Sequence, residues 1–126
     1  MTRKPPRPKF INLFQIHFPV TAVLSILHRV TGVVMVLAVP PGVYLFGCAL
    51  ESPAGFSRVG QWLDLPWVQI GSVFLVWALA HHTLAGVRYL LIDADYGLKK
   101  HVARATAYVV LIGALVVAFA YAWSLV

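Results

Sequence analysis

Three long apolar segments dominate the pattern of hydrophobic and polar positions, and each predicts a membrane-spanning helix. They cover about residues 20–50, 67–92 and 102–126. A bilayer requires roughly 20 predominantly apolar residues per helix, so the first segment is longer than a straight span. Tilt, a kink at Pro40 and Pro41, or a start outside the hydrocarbon must accommodate the excess.

The segments outside these helices are polar or rich in turn-forming residues. Residues 51–66 combine Ser, Pro, Gly and Asp and are predicted to form a first loop, and residues 93–104 form a basic second connection. The N-terminal segment 1–19 begins with a basic, proline-rich tail and continues into an aromatic interfacial stretch. Polar residues separate its charges from the first apolar run, which argues against a cleaved signal peptide. We therefore divide the chain into this segment and a transmembrane domain over 20–126.

The composition excludes an ordinary soluble or disordered protein. Of the 126 residues, 60% are hydrophobic and only 11% are charged, and the mean hydropathy is +0.82. A soluble domain carries roughly 25% charged residues because its surface faces water. The predicted fold class is an all-α membrane protein with three transmembrane helices. The single cysteine, Cys48, cannot build a disulfide framework or a cysteine metal cluster within the chain.

The net charge is +6, and the basic residues are concentrated in short segments between the apolar runs. This distribution predicts membrane topology and does not indicate nucleic-acid binding. Four basic residues lie in the N-terminal tail, one lies in the first loop, and four lie around the second connection: Arg3, Lys4, Arg7 and Lys9, then Arg58, then Arg88, Lys99, Lys100 and Arg104. Cytoplasmic loops carry the excess of Lys and Arg. We therefore expect a multi-pass protein with a cytoplasmic N-terminus and an external C-terminus.

The first span carries a polar stripe near its predicted cytoplasmic end. Thr21, Ser25, Arg29 and Gly32 fall on one helix face, and His28 lies beside them. Structural roles are one explanation: arginine reaches the headgroups, serine bonds to a carbonyl, and glycine admits another helix. Alternatively, a hydroxyl one turn from a permanent cation suits a small polar ligand that gains negative charge, such as a quinone being reduced.

Two adjacent histidines, His81 and His82, interrupt the middle of the second span. Ionisable groups inside a membrane helix are costly, which makes them candidates for function. Neighbouring residues on a helix point about 100° apart, so the two side chains cannot ligate one iron from the same face. An interhelical hydrogen bond is the alternative to a haem ligand.

The surroundings favour His82 as the axial haem ligand, through a neutral imidazole. Its helical neighbours Ala78, Ala85 and Gly86 are small and leave room for a flat macrocycle. Bulkier residues flank His81: Trp77, Leu84 and Arg88. Without a Cys-x-x-Cys-His motif, the haem would be held non-covalently.

These residues together resemble the cytochrome b subunit of succinate dehydrogenase, and the resemblance covers nearly the whole chain. The matching motifs are Arg7-Pro8, the run Ser25-Ile-Leu-His-Arg-Val-Thr-Gly32, and His82 with Gly86, Arg88 and Asp93. Three spans in a chain of this length agree with that family. A runner-up interpretation is a haem-free structural anchor or small transporter subunit, and a third is the related fumarate reductase-type anchor.

The resemblance implies a membrane anchor of respiratory complex II in the bacterial inner membrane. Such a subunit oxidises no succinate itself but helps to pass electrons from an iron–sulfur subunit to quinone. The implied partners are that iron–sulfur subunit, a flavoprotein subunit and a second hydrophobic anchor subunit. The chain would form half of a heterodimeric, haem-binding helix bundle.

The resemblance also implies roles for individual residues. Ser25 and Arg29 would contact quinone, His28 and Arg29 would approach a haem propionate, and His82 would ligate haem b. One haem would be shared, with its second axial histidine supplied by the partner anchor. Some members of the family carry Arg-His where this chain has Arg88-Tyr89, so a role that needs histidine there does not transfer, although a tyrosine hydroxyl could still donate a hydrogen bond.

Overall fold

A computed structural model describes residues 17–126, which form four α-helices joined by short turns. The helices are α1 (Val20–Glu51), α2 (Pro53–Leu63), α3 (Pro66–Asp93) and α4 (Lys100–Ser124). Helices α1, α3 and α4 are long and apolar enough to cross a membrane, which confirms an all-α membrane protein with three spans. Their ends lie within two residues of the ranges expected from hydropathy. The basic tail and most of the expected interfacial stretch lie outside the described residues.

Helix α1 carries many exposed apolar side chains. It begins after Pro19 and remains helical through Pro40 and Pro41. Only Leu24 and Thr31 are buried along its length, and its other residues are half-buried or exposed. The exposed residues are mostly apolar, so one side of α1 presents a surface suited to lipid or to another membrane helix.

The expectation of a loop over 51–66 was wrong, because most of this segment is the short helix α2. Ser52 caps it by accepting a hydrogen bond from the backbone N–H of Gly55 at 3.0 Å, and Pro53 follows in the first turn. These are favourable helix-start residues. Gly55 and Val59 are buried, and a Cβ at Gly55 would collide with the carbonyl oxygen of Cys48. Glycine therefore allows α2 to pack tightly against α1.

Small residues form the contact between α3 and α4. Both helices turn mainly alanine inward, and the buried apolar set is Ala78 and Ala85 on α3 with Ala107, Val110, Ala114 and Ala118 on α4. Leu24 of α1 packs into the same cluster. Small side chains let membrane helices approach closely, and close approach increases van der Waals contact where lipid offers no hydrophobic driving force.

Arg88 joins α3 to α4 by hydrogen bonds. Its Nε donates to Thr106 Oγ1 at 3.0 Å and its Nη2 donates to the carbonyl of Ala103 at 3.0 Å. The guanidinium carbon lies 5.5 Å from the ring centroid of Tyr89. Although the sequence suggested a topology charge, Arg88 is buried and serves as an interhelical tie.

The connection between α3 and α4 is a short turn over residues 94–99. Asp95 and Gly97 adopt positive φ values of 65° and 79°. Glycine reaches this region without steric cost, and aspartate tolerates it better than most residues. The tight turn makes α3 and α4 antiparallel neighbours. Helix α3 also runs antiparallel to α1, so the end of α3 lies on the same side as the beginning of α1.

Candidate functional site

Two sequence motifs meet where α1 crosses α3. The segment 28–32 of α1 lies against His82 and Gly86 of α3. Thr31 and His82 are each eleven residues from the helix ends on this side, Val20 and Asp93, which places both roughly 16 Å along the helix axes. The motif residues therefore lie at one depth, well inside the span.

The imidazole of His82 is held by the backbone of α1. Its Nδ1 lies 3.0 Å from the carbonyl oxygen of His28 and 3.4 Å from Thr31 Oγ1. Because a carbonyl oxygen can only accept a hydrogen bond, Nδ1 carries the proton in this arrangement. The other ring nitrogen, Nε2, then keeps its lone pair, which is the form of histidine that ligates a metal.

The side chain of His28 covers one face of the same ring. The centroids of the His28 and His82 imidazoles are 4.1 Å apart and their planes are inclined by 14°. Tyr89 meets His28 edge-on at 5.2 Å, and its hydroxyl is buried without a hydrogen-bond partner in the described residues. Stacking and the carbonyl bond together fix the orientation of His82.

Space beside His82 comes from a different residue than the sequence suggested. Ala78 and Ala85 are fully buried in the helix contact, so they leave no free room for a macrocycle. A Cβ at Gly32 would lie 3.0 Å from His82 Cε1, whereas one at Gly86 would lie 3.7 Å from His28 Nε2. The first distance is too close for an undisturbed contact, and the second is ordinary. Gly32 is therefore the residue that makes room for the ring.

His82 lines a pocket of about 540 Å³ on the outer face of α1 and α3. The other lining residues all come from α1: Arg29, Gly32, Val33, Val36 and Leu37. One imidazole and one guanidinium thus share an otherwise apolar recess. The pocket is open at the surface of the described helices.

His81 does not reach this pocket. It is fully buried, and the described residues offer no hydrogen-bond partner to either ring nitrogen. Its nearest aromatic contact is Trp77, with centroids 5.7 Å apart. The two histidines therefore face different surroundings, as expected from their 100° separation, and only His82 lies at the recess.

The two expected quinone contacts both lie on the first turns of α1. Arg29 is exposed and lines the pocket, and Ser25 is half-buried one turn closer to the beginning of the helix. Arg29 is among the residues that line the pocket with His82, whereas Ser25 is not.

Thr31 is the site residue that sequence reasoning missed. It is fully buried, and its hydroxyl can donate within α1 to the carbonyl of Leu27 at 2.9 Å or to that of His28 at 3.1 Å. The feature of the sequence that could have indicated Thr31 is its position in the same run as Arg29 and Gly32. The sequence did not indicate that the Thr31 side chain faces α3, because Thr31 does not lie on the polar stripe of α1.

The donor set suits a cofactor with a single metal ligand from this chain. The described residues contain no group of three or more His, Cys, Asp or Glu side chains placed to hold a metal ion. For haem, this chain would have to supply an axial histidine, an apolar recess and a cation that faces the propionates. His82, the aliphatic residues of α1 and Arg29 meet these three requirements.

Comparison with known proteins gives one consistent result. Residues 3–121 match the family described as succinate dehydrogenase/fumarate reductase transmembrane subunit. The succinate dehydrogenase cytochrome b556 subunit of Coxiella burnetii is 32% identical over 121 residues, covering 93% of this chain and 97% of the relative. The subunit of the same name from Paracoccus denitrificans is 32% identical over 115 residues, covering 89% and 86%.

Proposed function

The chain belongs to the family of succinate dehydrogenase/fumarate reductase transmembrane subunits, and from this premise we propose that it is the membrane-anchor cytochrome b subunit of a succinate:quinone oxidoreductase. It binds haem b and quinone and helps to pass electrons from an iron–sulfur subunit to quinone. The family description covers succinate oxidation and fumarate reduction. Both relatives are succinate dehydrogenase subunits, which favours succinate oxidation.

The observation that carries the proposal is the hydrogen bonding of the His82 imidazole. Its Nδ1–H donates to the carbonyl of His28, so Nε2 is left with a free lone pair in a ring that lines the pocket. A hydrogen bond at one ring nitrogen fixes the tautomer and orientation of a ligating histidine. His82 therefore serves as the axial ligand of haem b, which supplies a one-electron carrier when bound.

Arg29 and His28 are the residues proposed to contact the haem propionates. Arg29 supplies a permanent cation at the edge of the apolar recess, and His28 lies against the ligand ring. A guanidinium binds carboxylates through two parallel hydrogen bonds. Such a contact fixes the position of the macrocycle and offsets its charge.

Quinone is proposed to bind one turn closer to the membrane surface. Reduction adds electrons and protons to the quinone oxygens, and negative charge builds on an oxygen whenever an electron arrives before a proton. Arg29 stabilises that charge, and Ser25 donates a hydrogen bond to the headgroup. Ser25 is only five residues from Val20, about 7.5 Å along the helix, so the headgroup would lie nearer than His82 to the aqueous side that supplies protons.

A second membrane subunit is needed to complete the haem site. The pocket is lined by α1 and α3 alone, and His82 is its only histidine among the described residues. As in the family that the chain resembles, a further histidine for the haem would be supplied by a partner anchor, for which the exposed apolar side chains of α1 offer a surface. We further propose that iron–sulfur and flavoprotein subunits dock at the cytoplasmic side, where the termini of α1 and α3 and the basic connection meet.

A direct test is to purify the intact complex and record its reduced-minus-oxidised absorption spectrum together with its succinate:quinone reductase activity. The proposal predicts a b-type haem band, quinone reduction with succinate as donor, and co-purification of a second small membrane subunit. A complex with succinate oxidation but no haem band would favour the haem-free anchor. A transporter subunit would show neither property.

A further inference from the structure

The hydroxyl of Thr31 lies within reach of the proposed haem ligand. Thr31 Oγ1 is 3.4 Å from His82 Nδ1, and the side chain is fully buried between α1 and α3. The same oxygen lies 2.9 Å from the carbonyl of Leu27 and 3.1 Å from the carbonyl of His28. A fully buried hydroxyl with three polar neighbours has a restricted set of hydrogen-bonding patterns.

The number of available hydrogens decides whether the Thr31 hydroxyl donates to His82 or accepts from it. The threonine hydroxyl has one hydrogen and two lone pairs, and carbonyl oxygens only accept. Its hydrogen must therefore go to Leu27 or His28, and the shorter distance favours Leu27. The lone pairs of Oγ1 then remain for Nδ1–H of His82, which already donates to the carbonyl of His28 at 3.0 Å.

We propose that Thr31 is a positioning residue for His82, and that its hydroxyl shares the Nδ1–H hydrogen bond with the His28 carbonyl. This inference rests on the proposed role of His82 as the haem ligand. Two acceptors on α1 hold the ring against rotation and leave Nε2 free of this hydrogen bond in a ring that lines the pocket. The backbone carbonyl supplies the stronger contact, and Thr31 is the part that a substitution can remove.

The shared hydrogen bond also changes the electron-donating power of the ligand. Acceptors at Nδ1–H draw the proton partly away from the ring and make Nε2 a stronger donor. A stronger donor stabilises ferric more than ferrous iron. Removing the Thr31 hydroxyl should therefore raise the midpoint potential of the haem, with the His28 carbonyl keeping the ring in place.

The expected size of the change in haem midpoint potential follows from the Thr31–His82 distance, which is the longer of the two contacts at Nδ1. Loss of a hydrogen-bond partner of a metal-ligating histidine typically costs 10- to 100-fold in metal affinity or activity. Because Thr31 supplies the longer of two contacts, we expect a change of about threefold to tenfold in the ratio of ferric to ferrous binding. For a one-electron couple, this corresponds to about 30 to 60 mV.

The test uses the purified complex with Thr31→Val, Thr31→Ser and a control, Thr83→Val. Valine keeps nearly the volume of threonine but lacks the hydroxyl, whereas serine keeps the hydroxyl and lacks the methyl group. Thr83 is exposed on α3 next to His82, so its variant controls for removal of a nearby hydroxyl. The readouts are haem content per complex, the midpoint potential from a redox titration, and the ferric electron paramagnetic resonance spectrum.

The inference predicts a raised potential and altered ferric spectrum in Thr31→Val, with Thr31→Ser and Thr83→Val close to wild type. Haem loss in Thr31→Val with retention in Thr31→Ser would also support a role of the hydroxyl. Equal potentials in wild type and Thr31→Val, or equal loss in the valine and serine variants, would overturn it and leave Thr31 as a packing residue. A wild-type complex without haem would instead contradict the proposed function itself.

Discussion

His28 acts on His82 through both its backbone and its side chain. The carbonyl of His28 accepts the Nδ1–H of His82 at 3.0 Å, and the two rings stack with centroids 4.1 Å apart. A single residue of α1 therefore fixes the tautomer and one face of a ring on α3. This contact explains why the run in α1 and the histidine motif in α3 form one site although they are more than 50 residues apart in sequence.

The space occupied by the His82 ring leads to a first prediction, for Gly32→Ala. The added Cβ would lie 3.0 Å from His82 Cε1, so the ring must shift and Nε2 must move with it. We expect a clear loss of haem per complex. Gly42→Ala is the matched control on the same helix, because no atom lies within 4 Å of a Cβ there. Equal haem content in the two variants would show that the ring does not depend on this space.

A second prediction separates quinone reduction from succinate oxidation. Arg29→Leu removes both the charge and the donors, and Arg29→Lys keeps the charge but loses the planar fork, so reduction of quinone should fall strongly in the first and partly in the second. Ser25→Ala removes one hydrogen bond, worth about 0.5 to 1.5 kcal/mol, or up to roughly tenfold in rate or affinity. Succinate oxidation with a soluble acceptor should persist, because the proposed function assigns that active site to other subunits.

The control for this comparison is Arg58→Leu, an exposed arginine of α2 beyond the opposite end of α1. It should retain both activities. If Arg29→Leu matched the wild type in quinone reduction at equal haem content, Arg29 would be removed from the quinone site and would remain only as a propionate or headgroup contact.

A third prediction concerns the stability of the bundle. Arg88→Met deletes the two hydrogen bonds that link α3 to Thr106 and Ala103 of α4. The expected cost is about 1 to 3 kcal/mol, because a charged donor is lost while hydrogen bonds between membrane helices are individually modest. The thermal midpoint of the purified complex should fall, whereas Arg104→Met, at an exposed arginine of α4, should leave it unchanged. Similar midpoints for both variants would refute the interhelical tie.

The orientation in the membrane gives a fourth prediction. Basic residues flank the beginning of α1 and the connection between α3 and α4, and only Arg58 lies between α1 and α3. A reporter that is active only outside the cytoplasm should therefore be active when fused after Val126 and inactive when fused after Gly97. The opposite pattern would reverse the topology.

The sequence was sufficient for the spans because lipid imposes long, continuous apolar segments. It was insufficient for α2, whose glycines suggested turns, although Ser52 and Pro53 are equally typical of a helix start. Gly55 is explained only by its contact with the carbonyl of Cys48, and such a contact between helices leaves no local signal.

The prediction of His82 over His81 as ligand was made from small neighbours, which the structure places elsewhere. Ala78 and Ala85 face the bundle core, whereas Gly32, on another helix, provides the room. The roles of Thr31 and the His28 carbonyl could not be read from the sequence, because both depend on how α1 and α3 are rotated against each other.

The most direct test of the central claim compares haem in His82→Ala and His81→Ala. Both variants should be purified as complexes with matched succinate oxidation by a soluble acceptor, which controls for assembly, and their reduced-minus-oxidised spectra should be recorded. We predict that the b-type haem band disappears or is greatly weakened in His82→Ala and is retained in His81→Ala. A retained band in His82→Ala together with its loss in His81→Ala would contradict the assignment of His82 as the axial ligand.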